Sequence, residues 1–284
     1  MLISIVTPSF RGSEWLKLCI ASVADQKGVA FEHIIQDSCS DDGTQDWLPN
    51  DVRVKAYIEK DKGMYDAVNH GFKRSKGDIL AYLNCDEQYL PGALKAVHDF
   101  FEAHPDVDVL FADTIVIDAA GSYICHRKSH IPTKSDIWVR MPVMTCAMFM
   151  RRSVFEEHGT WFDTKWKDFG DLFWVMSVVN KDLRIKVMHT FTSLFTDTGE
   201  NMNLKPNARR EAGLKYEMTP RWIKALKPLL LFSYKIKFVL SGLYFQKPFD
   251  YAVYVSKDQE KRVTYHVEKP TPIWKGRKNV PVSL

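Results

Sequence analysis

Short apolar runs separated by polar turns open the chain. Residues 2–6, 31–36, 54–59 and 79–83 are runs of strand length, and each leads into a polar segment. Helical patterns lie between them. Across residues 13–26, Trp15, Leu16, Cys19, Ile20 and Val23 form one stripe, with Ser13 as a candidate cap. Across residues 64–75, Met64, Ala67, Val68, Gly71, Phe72 and Ser75 share a face at i, i+3, i+4, i+7 and i+8 spacing. Strands alternating with helices predict an α/β fold, with a mainly parallel central sheet flanked by helices.

Beyond residue 90 the pattern changes. Residues 91–104 read as a helix ended by Pro105, and residues 107–112 as a further strand. Residues 115–117 and 123–126 read as a hairpin about 118–121. An apolar run at 144–150 leads to a helix beginning at 151–153. Asp171 opens an amphipathic helix through Trp174, Val175 and Val178, and residues 186–195 return as a strand. Residues 196–204 read as a loop, 263–267 as a last strand and 269–284 as a loose tail. Three segments are expected: 1–112, 113–215, where antiparallel pieces enter, and an extension over 216–284.

Composition narrows the function classes. The chain has 284 residues, 45% hydrophobic and 26% charged, as in soluble globular proteins. A net charge of +4 is too mild to argue for nucleic acid as a partner. The cysteines, Cys19, Cys39, Cys85, Cys125 and Cys146, show neither a disulfide framework nor zinc spacing, so a reducing cytoplasm is expected. No signal peptide is expected, and no run reaches the roughly 18 apolar residues of a spanning helix. Between Glu217 and Asp250 there is no acid, while Arg221, Lys224, Lys227, Lys235, Lys237 and Lys247 alternate with aromatic and aliphatic residues. That composition predicts a basic amphipathic helix, suited to an anionic membrane surface or packed on the main domain.

The candidate chemistry lies at strand ends. In sheets covered by helices, ligands bind beyond the carboxyl ends of the strands. Asp37 ends the second strand in the turn DSCSDDGT, where it is placed to meet a nucleobase or ribose; Asp41 or Thr44 is equally placed to cap the next helix. Asn84, Cys85, Asp86 and Glu87 end the fourth. Acidic oxygens there suit Mg2+ or Mn2+, or simply form a solvated turn. A dehydrogenase of the dinucleotide-binding type is not expected, because no GxGxxG follows the first strand.

Four ordered segments carry a resemblance: VTPSFR, QDSCSDDGT, EKDKGMYDAVNHGF and GDILAYLNCDE. Together they resemble the motifs of family 2 glycosyltransferases, enzymes of GT-A fold that use nucleotide-sugar donors, and in particular bacterial enzymes of exopolysaccharide, colanic acid and O-antigen synthesis. The resemblance covers about residues 1–200. It implies that Thr7, Pro8 and Phe10 lie by the nucleoside, that Asp37 binds base or ribose, and that Asp66 and Asn69 lie on the donor side. Local hydrogen bonding that steadies its helix is the other reading of Asn69. Asn84-Cys85-Asp86 stands where the family has DxD, with the first acid replaced, so Asp86 is the implied metal ligand. WFDTKWKDFGDLFWVMSVV is similar to the family's catalytic segment, with Asp171 in the place of the general base and Asp168 as the competing choice. The resemblance also implies a donor half over 1–112 and an acceptor half over 113–215.

An inverting transfer is therefore expected, from a UDP-sugar or other nucleotide sugar to a glycan or polyprenyl-diphosphate-linked acceptor. A divalent metal at Asp86 would neutralise the diphosphate. The expected place is the inner face of the plasma membrane. The alternatives are a catalytically silent nucleotide-sugar-binding scaffold at the membrane, or a nucleotidyltransferase. The whole expectation needs Asp86 and Asp171 to converge across one cleft.

Overall fold

The computed structural model describes residues 1–199, 206–256 and 261–274. In chain order its elements are β1 (Ile3–Ser9), α1 (Ser13–Ala24), β2 (Phe31–Asp37), α2 (Thr44–Trp47), β3 (Lys55–Ile58), α3 (Met64–Arg74), β4 (Ile79–Tyr82), β5 (Gln88–Tyr89) and α4 (Ala93–Ala103). There follow β6 (Val109–Asp118), β7 (Tyr123–Arg127), α5 (Lys134–Val139), β8 (Met148–Arg151), α6 (Ser153–Glu156), α7 (Gly170–Asn180), β9 (Ile185–Asp197), α8 (Pro206–Met218), α9 (Arg221–Leu240), β10 (Phe249–Val253) and β11 (Val263–Val267).

One sheet of nine strands runs β3-β2-β1-β4-β8-β6-β9-β5, with β7 also on β6. Its first half is parallel: β1 pairs with β2 and with β4, and β2 with β3. The second half departs from a mainly parallel sheet. β8 runs antiparallel to both β4 and β6, β7 to β6 and β5 to β9, while β6 and β9 are parallel. Short connections such as the β6–β7 turn permit only antiparallel return.

Both faces of the sheet are covered at its centre, which explains why β1 and β4 are buried along their whole length. Successive side chains of β1 point to opposite faces. Ile3 and Ile5 join Cys19 and Val23 of α1 and Leu94, Val97 and Phe101 of α4 in one core. Val6 joins Val68 and Phe72 of α3 and Trp174 and Val178 of α7 in the other. Helix α3 lies very close to β1. A Cβ on Gly71 would stand 2.3 Å from a methyl of Val6, so this crossing needs glycine.

Three expectations are corrected. The strand at 107–112 and the first arm of the hairpin are one strand, β6, whose register on β9 shifts on both sides of Asp113. The Asp113 carboxylate is buried there, accepting the Ser129 N–H at 2.8 Å with His189 at 3.3 Å. The helix expected from residue 151 is the single turn α6. The expected loop at 196–204 starts as the end of β9, and its residues 200–204 lie outside the described residues, as do 275–284 of the expected tail. Strands β10 and β11 form a separate hairpin. Arg262 ties it to the main sheet through Asp25, at 2.7 and 2.8 Å, and the carbonyls of Ser22 and Tyr89. Among the described residues no helix is long and apolar enough to cross a membrane.

Candidate active site

Strand β1 sits between β2 and β4, and the carboxyl ends of the three open on one side of the sheet. That crevice is where a doubly wound sheet binds ligands. Phe10, just past β1, projects its ring into solvent with 56% of its surface exposed. The guanidinium of Arg11 lies 5.0 Å over that ring and holds Asp41 in two hydrogen bonds of 2.5 and 2.7 Å. Pro8, in β1 two residues before Phe10, is buried.

The remaining residues expected at the nucleoside are engaged within the protein. Thr7 is buried, with its hydroxyl 2.9 Å from His33 Nε2. Burial drives the His33 pKa down to about 3, so the ring is neutral. Asp37 is buried, and its carboxylate accepts from the N–H and the hydroxyl of Ser40 at 2.8 and 2.7 Å. Asp66, in the first turn of α3, accepts the N–H of Lys62 at 2.9 Å. Asn69 donates to the carbonyl of Phe162 at 2.8 Å and accepts its N–H at 3.1 Å. With both ends of the amide committed, Asn69 ties α3 to the segment leading into α7. Cys85 packs on the opposite loop, where a Cβ on Gly12 would lie 2.9 Å from its sulfur.

The end of β4 carries the acids. The carboxylate of Glu87 folds back to accept the Asn84 N–H at 2.8 Å. Burial pushes the carboxyls of Asp86 and Glu87 up from their ordinary range, and the charge of Asp86 raises Glu87 further. Three buried polar atoms at the ends of β1 and β4, Ser9 Oγ, Asn84 Oδ1 and Glu87 Oε1, have no hydrogen-bond partner within the protein, although buried polar groups ordinarily find one.

Asp171 stands on α7. It occupies the first turn of the helix, where a carboxylate is favoured, and accepts the Leu172 N–H at 2.7 Å. Burial raises its pKa to about 6, against the N–H groups and the Tyr65 hydroxyl that hydrogen-bond to it. Its charge bears on Tyr65 of α3 and on Tyr82 and Glu87 at the end of β4. Asp168, whose charge also bears on Asp171, takes the side-chain amide of Asn207 on its carboxylate.

The approach of α7 depends on Gly170. A Cβ there would lie 2.4 Å from the ring of Tyr65. The preceding turn is held by Glu211 of α8, whose carboxylate accepts three successive backbone N–H groups, from Lys167, Asp168 and Phe169, at 2.8, 3.0 and 3.0 Å. Tyr65, Tyr82, Gly170 and Glu211 were not singled out in the sequence. Gly170 and Tyr65 adjoin motif residues; nothing in the local pattern marks Glu211.

Among the described residues no three His, Cys, Asp or Glu side chains converge on one point. The fit to a divalent cation rests instead on Asp86 and the partnerless oxygens of Asn84 and Glu87. Hard oxygen donors of this kind suit Mg2+ or Mn2+, which ordinarily complete their shell with water and substrate phosphates. The residues present fit such an ion. The basic residues at 126–130 are built into the fold: His126 is buried, Lys128 donates to the Phe245 carbonyl at 2.8 Å, and His130 stacks on Phe238 at 5.6 Å.

Solved structures share this architecture. The structure of S. aureus TarS in complex with UDP-GlcNAc matches with a TM-score of 0.60 at 16% identity, over 76% of this chain and 66% of that one. The mannosyltransferase PcManGT from Pyrobaculum calidifontis, in complex with GDP-Man and Mn2+, matches with a TM-score of 0.58 at 12% identity, over 86% and 76%. The fold is thus the GT-A fold of glycosyltransferases. The family model "Glycosyl transferase family 2" matches residues 4–159, and the chain belongs to that family. Its relatives include the "Putative teichuronic acid biosynthesis glycosyltransferase TuaG" of Bacillus subtilis, 33% identical over 104 residues. That alignment covers 35% of this chain and 41% of the relative, so the chain spans less than half of that protein. The PGL/p-HBAD biosynthesis glycosyltransferase of Mycobacterium bovis is 25% identical over 209 residues, 70% of this chain and 78% of the relative.

Proposed function

We propose that the protein is an inverting glycosyltransferase of cell-surface polysaccharide synthesis. It would move one sugar from a nucleotide-sugar donor, a UDP-sugar first among candidates, to a hydroxyl of a glycan or polyprenyl-diphosphate-linked acceptor. What supports this reading is the influence of the Asp171 charge on Glu87 at the acidic end of β4, within a chain of the glycosyltransferase family 2 and the GT-A fold. The named relatives and solved neighbours supply the class of donor and pathway.

In this reading residues 1–112 hold the donor and 113–215 the acceptor, with 216–284 as an extension. Phe10 stacks on the base, while Asp37 and Asp66 shape the nucleoside loops. Asn84 and Asp86 face the diphosphate. Asp86 would hold Mn2+ or Mg2+, which would offset the charge of the leaving diphosphate. Asp171 takes the proton of the acceptor hydroxyl as its oxygen bonds the anomeric carbon. The bond from that carbon to the phosphate oxygen breaks, and its electron pair leaves with the nucleoside diphosphate. Attack opposite the leaving group inverts the anomeric centre. The proposed place of work is the inner face of the plasma membrane.

A screen of nucleotide sugars by thermal shift, with and without Mn2+, followed by product analysis, tests this reading. Nucleoside diphosphate and an inverted glycoside are expected. Pyrophosphate release from a nucleoside triphosphate would instead make it a nucleotidyltransferase, and donor binding without turnover a silent binding protein.

A further inference from the structure

Helix α9 turns its apolar side outward. Trp222, Leu226, Leu229, Phe232, Ile236 and Val239 recur at helical spacing and are all exposed, Leu229 and Phe232 by 60% and 61%. From first to last they span about 26 Å of helix. The opposite side is fastened down. Ile223, Tyr234 and Phe238 are buried, Arg140 lies 5.7 Å over the Tyr234 ring, and Lys237 pairs with Asp136 of α5 at 3.6 Å. The helix therefore cannot roll its stripe inward without breaking those contacts. Leu240 and Phe245 continue the exposed surface beyond its end. Contiguous apolar surface of this kind marks an interaction face.

Charge selects the occupant. No Asp or Glu lies between Glu217 and Asp250, and Lys224 and Lys235 flank the stripe along one side. A second copy pairing through the same face would set lysines against lysines, with no acid of this segment to offset them. An anionic bilayer supplies both an apolar layer and headgroups of opposite charge.

We propose that α9 lies in the headgroup region of an anionic membrane with Trp222, Leu229, Phe232 and Ile236 buried in it. This deepens the proposed place of work by assigning the surface that docks. Helix α9 packs on α5, and α5 packs on α7, which carries Asp171. Docking then holds the cleft two helices from the lipid, within reach of a sugar acceptor anchored there.

Flotation of the full chain with vesicles tests the docking without needing any activity. Binding to phosphatidylcholine mixed with phosphatidylglycerol is expected, weakening with added salt, and little binding to phosphatidylcholine alone. Leu229→Gln with Phe232→Gln should lower vesicle affinity about tenfold or more with an unchanged melting temperature. Should that variant fold poorly, Lys224→Glu with Lys235→Glu should remove the dependence on phosphatidylglycerol. Wild-type affinity in both variants, or no binding by the wild type, overturns the proposal. So does a wild-type dimer in sedimentation that Leu229→Gln with Phe232→Gln dissolves, which would give the face to a second copy. Transfer to a short water-soluble acceptor is measured separately; its failure counts against the glycosyltransferase reading and leaves the docking result standing.

Discussion

Glu211 accepts the backbone N–H of Phe169 at 3.0 Å, from a helix that begins 37 residues further along the chain. The same carboxylate holds the N–H groups of Lys167 and Asp168, so one side chain fixes the turn that aims Asp171. Burial alone would raise the Glu211 carboxyl, but these N–H groups and Asn207 hold it below its usual range. Replacing Glu211 with Ala should cost about 2–3 kcal/mol of stability, read from the denaturant midpoint. Transfer should fall through kcat with KM for the donor little changed. Glu211→Gln keeps an acceptor oxygen and should recover part of both. Full activity in the alanine variant would show that the turn holds its shape without the clamp.

Asp171→Asn should lower transfer by roughly 10²–10⁴-fold and leave donor binding intact. Release of nucleoside diphosphate measures the first, calorimetric titration of the donor the second. Transfer at the wild-type rate would remove Asp171 from the role of base.

The pH dependence has a definite sign. Burial raises the Asp171 pKa to about 6, and a base must be ionised. Thus kcat/KM should rise with pH up to about 6 and level off above it. Stability should move the other way. The folded carboxyl holds its proton more tightly than the unfolded one, whose ordinary value is 3.8, so its contribution is present below that value and lost as pH rises through about 6. Asp171→Asn should accordingly raise the melting temperature at neutral pH. A fall on that substitution would contradict the burial cost assigned here.

Gly170 and Gly213 make a matched pair. A methyl on Gly170 meets the Tyr65 ring, whereas one on Gly213 meets nothing within 4 Å. Gly170→Ala should destabilise the protein by about 1–3 kcal/mol and reduce transfer. Gly213→Ala, inside α8, should stabilise it by about 0.5–1 kcal/mol. Equal effects from the two would dismiss the close approach of α7 to α3.

Asp86→Asn should abolish any gain in donor-induced thermal stabilisation that Mn2+ gives the wild type. Equal donor affinity in the wild type with and without excess chelator would remove the ion from the mechanism.

The first half of the fold was legible because its signals are local. Strands β1, β2 and β4 are apolar runs ended by turn residues, and α3 shows its buried face by spacing alone. The second half was less so. The two-residue β5 is too short to leave a pattern, and β6 hides its continuity behind Asp113, a buried acid whose partners lie 16 and 76 residues away. The acids at 86 and 171 stand in motifs that the sequence displays, while Glu211 does not, since a clamp built across 42 residues leaves no trace in the neighbouring sequence. Side-chain direction was equally unreadable: Thr7 and Cys85 stand in the expected loops, yet the Thr7 hydroxyl meets His33 and the Cys85 sulfur packs beside Gly12.

The position of β6 bears on how the chain survives its own synthesis. Its ten residues pair along one edge with β7 and β8, and along the other only with β9, which is complete at Asp197. Until that point a nascent chain carries a long apolar ribbon with unpaired amides on one side, the kind of template that recruits other strands. Chains halted between residues 127 and 185 should therefore precipitate when released from the ribosome, while chains extended past 197 stay dispersed; centrifugation of a truncation series would show where the ribbon is finally covered.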